Sequence, residues 1–543
     1  MPPIGRYTAS PSTPPAPGRD ALLAALDRLD VPFAVVDTPA GPAAATGGTA
    51  TLGDEGDGLP LLAWVPALTP DRLGDPAFRR AWGVRVAYAS GAMANGIAST
   101  ALVAAVARAG GLGFFGAAGL PTARIAAAVD QLEREAPGLA WGVNLIHSPQ
   151  EPWQEQETVD LLLARGVRAI EASAFVGLTP PLVQLRAAGL RAGPDGAPVP
   201  ARRIAAKVSR PEVAARFLAP PPAEVLQRLV EQGRLTADEA RLAARLPLAD
   251  DLTAEADSGG HTDNRPLSVL LPLLRAQAAE ARRAHGYADR VRVGAAGGIG
   301  SPAAAAGAFA LGAAYVVTGS VNQACVEADT SPLVKELLAE AGMADVAMAP
   351  ASDMFEGGVQ LQVLRRATMF PMRAQLLYEW YRAYPSLEAL PDDVRTRLEQ
   401  QILRAPVAQI WASCEAYFAE RDPAQLERAA QDPKHRMALV FRWYLGRSSR
   451  WAIAGEADRR TDLQVWCGPA IGAFNDWTRG TPLARPEART AVAVMANLMT
   501  AVPRPAARRA PARPGDRRSS TLRFRPRPLA APPAACAAEP ARV

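Results

Sequence analysis

From residue 84 onward the chain repeats one pattern: a short, almost wholly apolar run, a glycine-rich or polar turn, then a segment with apolar positions at helical spacing. The apolar runs lie at 84–89, 111–115, 141–145, 169–172, 203–208, 252–255, 291–296 and 314–318. A strand covered on both faces reads as a continuous apolar run rather than an alternating one, so these are expected to be buried parallel strands. The first two are followed by helical segments at 97–109 and 121–135. Eight such alternations over about 235 residues predict an α/β fold, a (β/α)8 TIM barrel. A doubly wound open sheet is the competing architecture.

The pattern also divides the chain. Residues 1–80 are rich in Pro, Gly and Ala and weakly patterned, with short strands expected at 31–36 and 61–65. The barrel is expected over 81–345, with a helical insertion at about 217–248 that includes Pro220, Pro221 and Pro222. A helical C-terminal appendix for docking substrate or partner is expected over 346–500. It contains a polar, methionine-rich stretch at 350–375 and several tryptophans. Residues 501–543 read as a disordered basic tail rich in Pro and Arg.

Charge changes the picture only after it is divided. The tail holds ten arginines against Asp516 and Glu539, a balance of +8, whereas the whole chain is +5. Residues 1–500 therefore sum to about −3, and the folded body carries no signature of nucleic-acid binding. Cys325, Cys414, Cys467 and Cys536 are far apart, which argues against a zinc site and a disulfide framework and fits a reducing cytoplasm. No metal site is expected. No apolar run is long enough for a membrane span, and the N-terminus does not resemble a secretory signal.

Candidate chemistry sits at the strand ends, which a barrel gathers at one mouth. After the first strand, Gly91, Ala92 and Met93 offer close backbone approach and an apolar contact. Asn144 ends the third strand with an amide able to meet donor and acceptor atoms of a heterocycle. Lys207 nearly ends the fifth. A lysine there is costly unless it meets an anion or a negative dipole, such as that of a reduced flavin. Glu171 reads as a rim charge and is not assigned. After the sixth strand, Glu255-Ala256-Asp257-Ser258-Gly259-Gly260-His261 places an imidazole behind two glycines. After the seventh and eighth, Ala296-Gly297-Gly298 and Gly319-Ser320 suit a phosphate cradle of backbone N–H groups.

In this order, Gly91-Ala92-Met93-Ala94, Gly110-Gly111-Leu112-Gly113, Lys207, Ser258-Gly259-Gly260-His261, Ala295-Ala296-Gly297-Gly298-Ile299 and Gly319-Ser320 resemble the nitronate monooxygenase and FMN-dependent enoyl reductase superfamily. The stretches at 255–266, 353–359, 367–370 and 466–477 narrow the resemblance to PfaD-type trans-acting enoyl reductases. It covers residues 60–480. Two departures stand out. Asp257 and Ser258 lengthen the usual Glu-Ala-Gly-Gly-His loop, which puts a role for Glu255 in doubt. Gly319-Ser320-Val321 lacks the usual arginine, which shifts phosphate binding towards backbone N–H groups and the Ser320 hydroxyl.

The resemblance implies FMN held by Gly91, Ala92, Met93, Asn144, Lys207, Ser258, Gly259, Gly260, Ala296, Gly297, Gly298, Gly319 and Ser320. It implies NADPH or NADH as hydride donor, and reduction of enoyl thioesters on the acyl carrier protein of a polyketide or polyunsaturated fatty acid synthase. His261 is the catalytic candidate, as proton donor or as a group that only positions substrate. A homodimer is left open. Three rivals remain at this level: a nitronate monooxygenase using the histidine as base, a non-catalytic synthase subunit with 367–381 as its interface, and an inosine-phosphate dehydrogenase-like barrel. The last lacks a visible catalytic cysteine loop.

Overall fold

The computed structural model describes residues 2–53, 56–147 and 151–500, so the expectation for the basic tail lies outside the described residues. Backbone contacts divide the chain into two units. Among the described residues, one spans 74–494 and the other comprises those up to 73 with 495–500. The sequence boundary at 80 thus falls inside a helix, Pro76–Trp82, that belongs with the barrel.

Eight parallel strands close the barrel: β1 Tyr88–Ser90, β2 Leu112–Phe115, β3 Trp141–Ile146, β4 Ala169–Ser173, β5 Arg203–Val208, β6 Asp251–Glu255, β7 Arg292–Ala296 and β8 Val316–Thr318. Pairing of Val316 with Tyr88 joins β8 to β1 and excludes the open sheet. The expected strands are all present. β1 begins four residues late because the Arg85 and Val86 N–H groups both donate to the Gly110 carbonyl rather than to a ladder.

The strands are short of bulk for a packing reason. Ala89, Ala205 and Ala296 share the interior with Phe114 and Tyr315, so small residues make room for rings. A Cβ on Gly294 would lie 2.5 Å from the Tyr315 ring. The Tyr315 hydroxyl bonds Thr253 at 2.8 Å and donates to the Leu252 carbonyl at 3.1 Å.

Phe78 stacks on Tyr315 with centroids 4.1 Å apart, and Trp82 Nε1 donates to Asp251 at 2.8 Å. Arg292 donates to both Asp251 oxygens at 2.6 and 2.7 Å, with the carboxylate fully buried.

Helices Pro211–Leu218, Ala223–Glu231 and Ala237–Ala243 lie between β5 and β6. The last two are additional to the barrel repeat and pack against Pro180–Ala187. After the barrel, Val346–Pro350, Gln360–Leu364 and the two residues Gly260–His261 form a three-stranded antiparallel sheet. Helices Phe370–Ala383, Val407–Arg421, Pro433–Ala454 and Ala470–Thr478 follow. The buried Asp462 carboxylate ties the first and third of them, accepting from Tyr444 at 2.8 Å and pairing with Arg373, and it also pairs with Arg404 and Arg459.

In the other unit, six antiparallel strands between Gly5 and Val65 form one sheet around Tyr7, Val36, Ala43 and Leu61. Among the described residues no helix is long and apolar enough to cross a membrane.

Removing one partner of a buried ion pair strands the other charge. Arg292→Ala is therefore expected to lower stability by about 3–5 kcal/mol, read as a lower urea midpoint; an unchanged midpoint would show that Asp251 is not held by this pair.

Candidate active site

The carboxyl ends of the eight strands open into one cavity of about 1360 Å³, and every candidate named from the sequence lines it. Gly91, Ala92 and Met93 follow β1, Asn144 lies in β3 and Lys207 in β5. Ser258, Gly259, Gly260 and His261 follow β6; Ala296 ends β7, with Gly297 and Gly298 just after it; and Gly319 and Ser320 follow β8. The opposite wall comes from the helical region, with Trp443 and Leu439 on Pro433–Ala454 and Trp466 beyond it.

Lys207 is not an isolated cation. Its Nζ lies 3.3 Å from Glu255 Oε1. Burial alone would pull the ammonium pKa down, but Glu255 and Glu171 outweigh it and hold the group above the usual lysine range. Glu171, expected at the rim, is 1% exposed, and its carboxylate accepts from the Ala92 N–H at 3.0 Å. Burial pushes its pKa up, against the opposing pull of Lys207 and that N–H. The ammonium thus lies between two carboxylates and is paired before any ligand arrives.

Asn144 is narrower in use than its sequence position suggested. Both amide protons serve the barrel, donating to the Glu171 carbonyl at 3.1 Å and to Ser173 Oγ at 3.0 Å. Only the side-chain oxygen is left to meet a ligand, as an acceptor.

The glycine ends have the form of an anion cradle. Gly297 and Gly298 take positive φ values of 86° and 72°, a turn that an L side chain resists. A Cβ on Gly297 would strike the Ala256 carbonyl carbon at 2.7 Å, whereas Gly298 and Gly319 face open space. Ser301 Oγ caps the helix Pro302–Ala310 that follows. The Ser320 hydroxyl accepts from the Gly468 N–H at 3.0 Å, which leaves its own proton for an anion. Ser258 Oγ is buried with no protein partner. An orphaned hydroxyl, an open glycine cradle and a charged lysine at one mouth fit a group with a phosphate and a polar ring, as FMN has.

His261 is held as a strand residue, not a free turn. Gly260 pairs with Gln362 and His261 with Leu361. Its Nε2 lies 3.2 Å from Asp353 Oδ1. Burial lowers the imidazole pKa, but the Asp353 bond and charge outweigh it, so the net shift is upward. Burial likewise opposes the Asp353 shift, yet His261 holds that carboxyl below its usual range.

The two residues that lengthen this loop are clamped. Gln362 Nε2 donates to Asp257 Oδ1 and to the Ser258 carbonyl, each at 2.8 Å, and Asn264 donates to Asp257 at 2.9 Å. A Cβ on Gly259 would sit 2.6 Å from the Cys467 backbone, so this glycine permits the contact with the loop at 466–468.

Glu171, Asp353 and Gln362 are the residues that sequence reasoning missed. Glu171 could have been found from its place in an otherwise apolar strand, because a buried carboxylate requires partners. Asp353 and Gln362 lie 92 and 101 residues beyond His261 and carry no spacing signal. Among the described residues no cluster is suited to hold a metal ion.

The raised imidazole pKa means that the His261–Asp353 pair adds stability below the unfolded histidine value, and that this is lost as pH rises through the folded one. Asp353 has the opposite sign, adding stability above the unfolded carboxyl value that is lost as pH falls through the depressed one. The pair is thus complete in the window between the lowered Asp353 and the raised His261 pKa. Asp353→Asn is expected to bring His261 down towards an ordinary imidazole, measured by NMR titration of its ring protons. No change on substitution would show that Asp353 does not set the charge.

A family model described as nitronate monooxygenase matches residues 88–379. A second, the inserted helical domain of acyl-carrier-protein S-malonyltransferase, matches residues 384–463. A polyunsaturated fatty acid synthase component of Thraustochytrium sp. is 48% identical over 423 residues, 77% of this chain and 28% of that protein. Polyketide biosynthesis protein PksE of Bacillus subtilis is 42% identical over 417 residues, 77% of this chain and 54% of that protein. The chain thus spans only part of the length of these relatives. The crystal structure of the enoyl reductase domain of MlnA, from the macrolactin biosynthesis cluster of Bacillus amyloliquefaciens, superposes with a TM-score of 0.77 at 38% identity, covering 80% of this chain and 97% of that one. With the barrel, its glycine ends and the helical region all matched, the chain belongs to the nitronate monooxygenase family and is similar across both regions to an enoyl reductase domain of a polyketide cluster.

Proposed function

We propose that this chain is an FMN-dependent reductase of 2-enoyl thioesters, acting in trans on acyl chains borne by the carrier protein of a polyketide or polyunsaturated fatty acid synthase. The observation that carries this reading is the His261–Asp353 pair over the same cavity as Lys207 and the glycine cradle. Similarity to the MlnA enoyl reductase domain supports the reaction class. The match of residues 384–463 to a helical domain of an enzyme that uses acyl carrier protein supports the substrate's carrier.

FMN, when bound, supplies hydride transfer from NADPH or NADH to the β-carbon of the enoyl thioester. Gly297, Gly298, Gly319 and Ser320 would hold its phosphate, with Ser258 adding a donor. Gly91, Ala92, Met93, Asn144 and Lys207 would meet the ring. Gly259 and Gly260 would let the backbone of this loop approach it.

Hydride addition leaves negative charge on the thioester oxygen and the α-carbon, and a proton must follow. Asp353 keeps His261 protonated further towards neutral pH than a free imidazole would be, which suits a donor of that proton. A nitronate monooxygenase would use the same imidazole as a base, a role that a neighbouring carboxylate also supports, so the helical region matched to an enzyme of acyl carrier protein is what favours the enoyl thioester. Lys207 is already paired with Glu255, so its part would be to orient the ring and balance Glu255 rather than to act as a lone positive charge.

Purified protein is expected to be yellow, with a flavin band at about 450 nm, and to oxidise NADPH with crotonyl-ACP but not with nitroethane and oxygen. Turnover of nitroethane alone, or colourless protein, would overturn the reading. His261→Ala is expected to keep the flavin band and lower the enoyl reduction rate by about 10²–10⁴-fold; an undiminished rate would remove His261 from the chemistry.

A further inference from the structure

One wall of the cavity is unexplained by flavin and histidine. At about 1360 Å³ the space exceeds the roughly 300–1,000 Å³ that holds one small ligand. Trp443, Gly446, Arg447, Arg450 and Ile453 line it from the helix Pro433–Ala454, at the spacing of a single helical face. That face runs for about 15 Å at ~1.5 Å per residue, a length suited to an extended, flexible chain.

The charges on this face are uneven in their partners. Arg442, in the same wall, is paired with Glu356 at 3.3 Å, and Arg421 lies over the Tyr417 ring and donates to its hydroxyl. Among the described residues Arg447 has only the Trp443 ring, 5.9 Å away. Arg450 bonds no described residue. Both are exposed, one helical turn apart, and repel each other unless an anion lies between them. Neither lies in the last turn before Gly455, so complementing the helix dipole does not account for them.

We propose that Arg447 and Arg450 bind the phosphate of the pantetheine-type arm that carries the enoyl thioester, with Trp443, Gly446 and Ile453 as the wall along which the arm lies. This rests on the enoyl-thioester reading, which requires such an arm to enter this cavity. The guanidinium pair would hold the phosphate at the rim while the thioester reaches His261. Selection of a phosphorylated carrier arm over a free short thioester then resides in this helix rather than in the barrel.

Equilibrium binding of 4′-phosphopantetheine and of unphosphorylated pantetheine tests the subsite without turnover. Wild type is expected to prefer the phosphorylated form about tenfold, and the Arg447→Ala/Arg450→Ala double variant to bind both alike. A wild type without that preference, or a double variant that keeps it, would overturn the proposal.

In turnover, the double variant is expected to raise KM about tenfold for crotonyl-phosphopantetheine, and to leave KM for crotonyl-N-acetylcysteamine and for NADPH unchanged. A rise in KM for NADPH alone would assign the arginines to the dinucleotide and overturn the proposal. The flavin band reports that the variant is folded, and a double Arg→Lys variant should restore most of the preference. If wild type reduces no enoyl thioester, the functional reading fails, and the binding preference still decides the subsite.

Discussion

The ammonium of Lys207, placed at the barrel mouth between Glu255 and Glu171, is the constraint on which the site depends. A charge at that depth must be compensated before any ligand arrives, and two carboxylates from neighbouring strands do this. Glu171 in turn holds the Ala92 N–H, so the loop after β1 is set by the same charge cluster. The alanines and glycines of the barrel strands leave room for that cluster and for the rings of Tyr315 and Phe114.

A second constraint acts from outside the barrel. The residues from Asp257 to His261 are drawn into another sheet by Gly260 and His261, and Gln362 bonds both Asp257 and the Ser258 carbonyl. Gly259 lets the loop at 466–468 approach within contact. The catalytic candidate is therefore held from two sides, by the barrel that delivers it and by the later sheet that fixes its direction and charge. This explains why the loop is two residues longer than the Glu-Ala-Gly-Gly-His pattern: the added residues supply the groups that Gln362 grips.

Much of this was legible in the chain. Eight apolar runs showed a barrel because a strand buried on both faces has no polar alternation, and β5 was legible to the residue. The fourteen candidate residues converge on one cavity because strand ends in a barrel share one mouth. The start of β1 was misplaced because an apolar run does not show where ladder hydrogen bonding begins. Glu171 was misread as a rim charge, since sequence places a residue on a strand without its depth. The donors of Asn144 looked free, since their capture by Glu171 and Ser173 is a cross-strand contact.

By itself, then, the sequence determined the repeat of buried strands and helices and the glycines where backbone must turn or approach closely, both set by local sterics and burial. It also determined the residue types offered at the mouth. Only the tertiary structure decided the charge states and partners of those residues. Asp353 meets His261 across 92 positions, Glu255 meets Lys207 across 48, and Gln362 reaches back to Asp257 across 105. Such pairings depend on chain closure over long separations, which leaves no periodicity in the sequence to be read.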